Sequence, residues 1–394
     1  MSRLTLRIIM QGKELDNMDT KKRISRMKEI MREQNISAVF VFNPDHQFYL
    51  TGFKALIYSR PIIFYIREEK STLIVPGLEE THAKDSTNLE EVLVYYEHPS
   101  DDQAVTSHSK HVTTLLKQSP NSAKIGVDLS FIPGEMLQFI QDLGYQVVDI
   151  GQTIYKMRFI KDNEEISLLE QAGQLVNLAV SKSLAQIREG ITEMEIDAAG
   201  NAALFEAVAT QYPNAVIDVV VMSPSGVKRS VMPHVFSNTR KIENGDVIIH
   251  SRQVGLNGYR AELERTVMVG KPTLEQQKAF QAAIEAQQRA IDFIKPGVTL
   301  SEVDRVAREV FEKAGLEKYA IHRTGHGIGV SAHEAPFLRY DHHDVIKEGM
   351  AFSIEPGIYI PGVGGFRHSD TVLITSSGCR LITEYPRDLE SLLY

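Results

Sequence analysis

A chain of 394 residues with 43% hydrophobic side chains has room for two domains or one large one. Lys and Arg number 43 against 51 Asp and Glu, a balance of −8, and no basic block is interleaved with aromatics, which argues against a nucleic-acid partner. The single Cys379 rules out an internal disulfide, and no apolar run approaches the ~20 residues of a membrane span, so the expected setting is cytoplasmic with no membrane partner.

Lys21 to Gln34 places Ile24, Met27, Ile30 and Met31 on one helical stripe. Ala38 to Phe42 is a short apolar strand, and Arg60 to Ile66 and Ser71 to Val75 are two more around a polar turn. Strand patterns at Lys124–Asp128 and Tyr145–Asp149 continue the alternation, which predicts an α/β domain over residues 1–155. Beyond it, Asn163 is placed to cap a long helix carrying Ile166, Leu169, Ala172, Val176 and Val180 on one face. A second helix runs from Glu193 to about Ala209. Strand patterns follow at Val216–Met222, Asp246–His250 and Thr266–Val269. Thr273 caps a third helix that ends before Lys295-Pro-Gly297, and Ser301 a fourth that ends at Gly315. Strands return at Ala351–Glu355 and Thr371–Thr375. Helices flanking a mostly antiparallel sheet predict an α+β domain over residues 156–394.

Within that domain, short motifs fall in a fixed order. They are Gly245-Asp246, Gly258-Tyr259, Glu264-Arg265-Thr266, Gly325-His326-Gly327, Ile354-Glu355-Pro356 and Arg367 to Asp370. In this order they resemble the pita-bread fold of the creatinase/prolidase family, which includes aminopeptidase P, methionine aminopeptidase, prolidase and creatinase. The α/β N-terminal half fits the creatinase-like and prolidase-like members, so the resemblance spans most of the chain. Metal-dependent members carry two aspartates, one histidine and two glutamates, and these fall on Ser251, Glu262, His326, Glu355 and Ser369. A neutral hydroxyl neither bridges nor charge-balances two divalent ions. The expected cofactor is therefore none, with one weakly bound divalent metal at Glu262, His326 and Glu355 as the alternative.

The details are most similar to creatinase. Glu264 stands where creatinase has a substrate-binding glutamate, and His234 matches its catalytic histidine. Tyr58 and Arg60 resemble a segment that reaches a neighbouring subunit's site and holds the substrate carboxylate, which implies a homodimer with shared active sites. Arg339 stands at a second carboxylate-binding position; a surface pairing is the plain alternative for both arginines. His368 replaces a glutamate that grips a guanidinium, so creatine itself is not the expected substrate.

The resemblance thus assigns His234, Glu264, Glu262, His326 and Glu355 to catalysis, and Tyr58, Arg60, His333, Arg339 and His368 to substrate binding. Crowded carboxyls raise at least one pKa or recruit a cation, and a histidine with its ordinary pKa of about 6.5 can shuttle a proton. The expected function is metal-independent hydrolysis of a C–N bond (amide, amidine or guanidine) in a small carboxylate-bearing molecule. The alternatives are a metal-dependent Xaa-Pro dipeptidase or aminopeptidase with an altered site, and a non-catalytic pita-bread binding protein.

Overall fold

The structure, a computed structural model, describes residues 19–56, 59–99 and 101–394. The chain divides into two compact units, one ending at Gln152 and the other beginning at Thr153.

The first unit is the expected α/β domain. Strands β1 (Ala38–Val41), β2 (Ile63–Ile66), β3 (Ser71–Pro76), β4 (Glu91–Tyr95), β5 (Lys124–Val127) and β6 (Gln146–Asp149) form one sheet in the order β4-β3-β2-β1-β5-β6. β1 is central in the sheet, pairing antiparallel with β2 and parallel with β5, and it is apolar throughout because both of its faces are covered, all four residues being buried. The leading helix, Thr20–Gln34, is capped by Asp19 and ends at Asn35 in a left-handed conformation.

The second unit is the expected α+β domain. Helix α1 (Asn163–Leu184) is capped by Asp162 rather than Asn163: the Asp162 carboxylate accepts from the N–H groups of Glu164 and Glu165, and Glu165 reaches back to complete a capping box. Helices α2 (Glu193–Gln211) and α3 (Leu274–Phe293) begin at Thr192 and Thr273 with the same device. So does α4 (Leu300–Ala314), whose cap is Thr299 and not Ser301, because Glu302 stands three residues after Thr299.

The larger departure is a long hairpin. β7 (Ile217–Met222) is followed by β8 (Val247–Leu256) and β9 (Tyr259–Met268), two ten-residue strands where the sequence pattern marked only their outer ends. Both strands are buried almost throughout, yet the stretches Ser251–Gln253 and Glu262–Arg265 are polar, so hydrophobic periodicity fails there. Asn257 and Gly258 both take positive φ at the turn, which matches the twist of a tight hairpin.

Strands β10 (Gly325–Gly327), β11 (Glu334–Leu338), β12 (Ala351–Ile354) and β15 (Ser369–Ile374) complete the sheet in the order β11-β10-β12-β15-β9-β8-β7. β16 (Cys379–Leu381) pairs with β15, and β13 (Gly357–Ile360) and β14 (Gly364–Arg367) form a separate hairpin. Every pairing in the large sheet is antiparallel. Among the described residues no helix is long and apolar enough to cross a membrane.

Candidate metal centre

Register decides which side chains meet. β8 sets Ser251 opposite Glu264 and Gln253 opposite Glu262, and β15 sets Ser369 opposite Glu264. Alternation then sends Ser251, Gln253, Glu262, Glu264 and Ser369 to one face, and His250, Leu263, Arg265 and Asp370 to the other. β10 places His326 opposite Ser353 of β12, and Glu355 follows at the end of β12. The glycine before His326 permits this approach, because a Cβ on Gly325 would lie 2.1 Å from the Ser353 carbonyl oxygen.

Glu262 is buried and held on both oxygens. The Ser369 hydroxyl donates to Oε1 at 2.6 Å, the Ser353 hydroxyl donates to the same oxygen, and the Gln253 amide donates to Oε2. Burial works against its charge, but His326, whenever its ring is protonated, and the two hydroxyls outweigh it and hold its pKa below the ordinary value. His326 is fully buried. Its Nδ1 lies 3.0 Å from the Gly327 carbonyl oxygen, an acceptor only, so Nδ1 carries the proton and Nε2 the lone pair. Nε2 has no hydrogen-bond partner; it lies 3.8 Å from Glu262 Oε2 and 3.4 Å from Glu355 Oε1. Burial, then Glu262 and Glu264, push the Glu355 carboxyl well above its usual range. A lone pair facing two carboxyls calls for a proton or a cation between them.

On the other side of Glu262, the Arg367 guanidinium grips Glu264. Its Nε and Nη2 donate to Oε2 and Oε1, each at 2.6 Å, and Nε lies 3.8 Å from Glu355 Oε2. The Ser251 hydroxyl, opposite it in the register, also favours the charged form of Glu264. Burial, offset in part by Arg367, leaves the Glu264 pKa raised. Arg367 Nη1 donates to the Tyr359 hydroxyl at 3.0 Å, Tyr359 donates to His322 Nε2 at 2.9 Å, and His322 Nδ1 donates to the Arg323 carbonyl at 2.7 Å. This relay needs a neutral imidazole, and burial followed by Arg367 pushes His322 down to about 3.

At the mouth, the Arg323 guanidinium stacks over Phe337 at 4.3 Å and donates to His333 Nδ1 at 3.1 Å. It forms no salt bridge among the described residues, although the charge of Glu355 is felt there. His333 stacks on His326, with centroids 3.8 Å apart. Burial and then His326 push it down to about 4. His234 reaches solvent, but surrounding atoms and the charge of Arg367 lower its pKa.

The fold therefore brings together Glu262, Glu264, His326 and Glu355, with His333 and His234 at the edge. Two of the other expected residues, Arg339 and His368, stand apart from this cluster. Arg339 is exposed, and both its Nε and Nη2 engage Asp341 at 2.5 Å. His368 is buried edge-on to Phe280 at 5.0 Å, and its nearest charges are Arg265 and Arg387. Arg60 lies in the first unit, where Glu97 takes its Nε and Nη2 at 2.9 and 2.8 Å. Tyr58 lies outside the described residues. Sequence reasoning missed Arg367, Arg323, Tyr359, Ser353 and Gln253. Two of these had a signal: Arg367 stands two residues before Ser369, and Gln253 two after Ser251, so alternation alone puts them on the same face.

Among the described residues, two sets of donors are close enough to hold an ion: Glu262 with His326 and His333, and Glu262 with Glu264 and Glu355; within each set the ligand atoms lie within 4.8 Å of one another. The buried, unpartnered Nε2 of His326 beside two carboxyls fits one divalent ion.

Comparison with known proteins agrees with this chemistry. Residues 167–376 match the model of metallopeptidase family M24, and residues 23–160 match that of the creatinase/prolidase N-terminal domain. The chain is 32% identical to the Xaa-Pro dipeptidase of Pyrococcus furiosus, over 94% of this chain and 99% of that one. The structure is similar to the prolidase from Pyrococcus horikoshii OT3, with a TM-score of 0.81 and 29% identity over 93% of this chain and 99% of that one. The Xaa-Pro dipeptidase from Bacillus anthracis gives a TM-score of 0.81 and 27% identity, over 95% and 100%.

These matches overturn two expectations. The relatives are Xaa-Pro dipeptidases, so the reading as a metal-independent creatinase-like hydrolase does not stand. Nor does the expectation of no cofactor, since the matching family is one of metallopeptidases. The reason lies in Glu264, which read as a creatinase signature: its carboxylate is occupied by Arg367, while the His326 side stays open to an ion.

Proposed function

Because the chain belongs to metallopeptidase family M24, we propose that it hydrolyses the peptide C–N bond of short Xaa-Pro substrates, with a divalent cation held by Glu262, His326 and Glu355. The observation that carries this reading is the His326 Nε2 lone pair, buried and without a partner between two carboxyls. A bound cation supplies Lewis-acid activation of water and of the scissile carbonyl.

The chain's own residues supply the rest. Glu262 is oriented by Ser353, Ser369 and Gln253, so a ligand atom is already in place when substrate arrives. His234, kept neutral by its surroundings, accepts a proton and passes it to the departing nitrogen. Arg323, with no carboxylate of its own, receives the C-terminal carboxylate of a dipeptide, and the Tyr359–His322 relay fixes its backbone. Arg339 is not given this role, since Asp341 already occupies its fork.

The test is hydrolysis of Xaa-Pro dipeptides by manganese-loaded and chelator-stripped protein. Turnover that depends on the added ion supports the reading. Ion binding without turnover on any Xaa-Pro peptide would shift the balance to a binding protein, a reading favoured by the neutral Ser251 and Ser369 hydroxyls. The proposal also includes a domain boundary near residue 155, a homodimer and a cytoplasmic setting. Sedimentation and cell fractionation test the last two.

A further inference from the structure

We infer that the pocket takes a single divalent cation, because the Arg367 guanidinium permanently fills the place of a second. The inference rests on the metal-assisted reading and refines it.

The two donor sets share Glu262: one adds His326 and His333, the other Glu264 and Glu355. They have the layout of two adjoining cation positions. The Glu264 side already holds a cation. Both Glu264 oxygens are taken by Arg367 at 2.6 Å, and the same guanidinium faces Glu355 at 3.8 Å. A metal ion needs oxygen ligands at about 2.0–2.2 Å and would have to displace those bonds. Arg367 has little freedom to leave. It is 3% exposed, its Nη1 is tied to Tyr359, and its backbone N–H donates to Thr266 Oγ1 at 2.8 Å.

Charge points the same way. Glu262, Glu264 and Glu355, ionised, with Arg367 leave two negative charges, which one divalent ion cancels. A second would leave the buried site with two positive charges. Ser251 and Ser369 sit where further anions would be needed, and they offer neutral hydroxyls, that of Ser369 already bonded to Glu262.

Native mass spectrometry and calorimetric titration with Mn²⁺ test the inference on the full chain. The wild type should take one ion, and His326→Ala none. Arg367→Met, with the guanidinium gone, should take a second ion that Glu264→Gln removes again. If Arg367→Met fails to fold, Glu264→Gln alone carries the test. It leaves the guanidinium without its counter-charge, so Mn²⁺ should bind about tenfold more weakly or worse, a loss of about 1.4 kcal/mol or more. Two ions in the wild type, both lost in Glu262→Gln, would overturn the inference and leave the proposed function standing. So would a folded Arg367→Met that still takes one ion, or an unchanged affinity in Glu264→Gln. A wild type that binds no ion would remove both.

Discussion

The sheet of the second unit carries buried charge on both faces, and the two faces are built differently. On one, the Asp370 carboxylate receives Arg265 at 3.0 Å, Arg387 at 3.1 Å, Gln287 at 3.0 Å and Thr383 at 3.1 Å. Arg265 spends its remaining donors on backbone carbonyls of Glu264, Ser369, Tyr385 and Pro386. On the other face, Glu264 and Glu355 share one guanidinium, and the His326 lone pair beside Glu262 and Glu355 has no hydrogen-bond partner among the described residues. A buried charge that is fully matched fixes a fold. One that is left short invites a ligand.

The sharpest way to break this contrast is to spoil the matched face. Asp370→Ala strands Arg265 in the interior, and removing one partner of a buried pair costs about 3–5 kcal/mol. Urea unfolding should show that loss, while the folded fraction retains its metal stoichiometry. A small change in stability would mean that the Asp370 cluster is not the scaffold it looks like.

The mismatched face should respond in rate instead. His234→Ala should lower kcat on the order of 10³-fold, about 4 kcal/mol, with little change in unfolding midpoint. In the wild type, burial and the Arg367 charge depress the His234 pKa, so the basic form persists at neutral pH. The acid limb of the kcat profile should therefore lie below 6.5 and vanish in the variant. A limb unaltered in His234→Ala would assign the proton transfer to another group.

How legible this was in the sequence can be judged from the same residues. The order of short motifs marked the fold, and alternation in Ala-Glu262-Leu-Glu264 put both carboxyls on one face. The ends of β8 and β9 were visible because Val247–Ile249 and Val267–Met268 are apolar; their middles were not, because a strand lining a polar pocket loses its hydrophobic period. Substitution at Ser251 and Ser369 was plain, but its meaning was not. Two lost carboxylates read as no cofactor, with one weakly bound ion only as the alternative, and the metallopeptidase matches reverse that order; in the structure Glu264 is matched by Arg367 while His326 Nε2 has no hydrogen-bond partner among the described residues. Arg339 misled for a local reason: Asp341, two residues on, closes over its fork. Arg323 was hidden because no motif separates a guanidinium without a carboxylate partner from one that has it.

That guanidinium gives a finer test. Arg323→Met should raise KM for a dipeptide with a free carboxylate by about 10–100-fold, in line with the 1.5–3 kcal/mol of a charged hydrogen bond. The C-terminally amidated analogue should lose far less. Equal losses for both substrates would make Arg323 a packing residue against Phe337.

The smallest expected effect concerns the matched face again, and its histidines. His250 and His368 are fully buried, and burial, aided by Arg252 for one and by Arg265 and Arg387 for the other, holds both pKa values well below 6.5. Such groups resist protonation when folded and accept it when unfolded. Their contribution to stability is complete above the unfolded pKa of about 6.5 and is lost as pH falls below it. The slope is at most about 1.4 kcal/mol per pH unit for each histidine. The pocket pulls the other way in the ion-free protein: Glu355 and Glu264 have raised pKa values, so the folded state takes up protons there and gains stability as pH falls. The net pH dependence is thus a contest between the two faces, and the informative quantity is a difference. Urea unfolding of ion-free wild type and of His250→Gln, compared from pH 7.5 to 5.0, should show the wild type losing more stability on acidification, because the amide cannot titrate. Parallel curves would mean that the His250 ring is protonated in the folded protein, drawn by Asp197 at 3.9 Å against its full burial and the charge of Arg252.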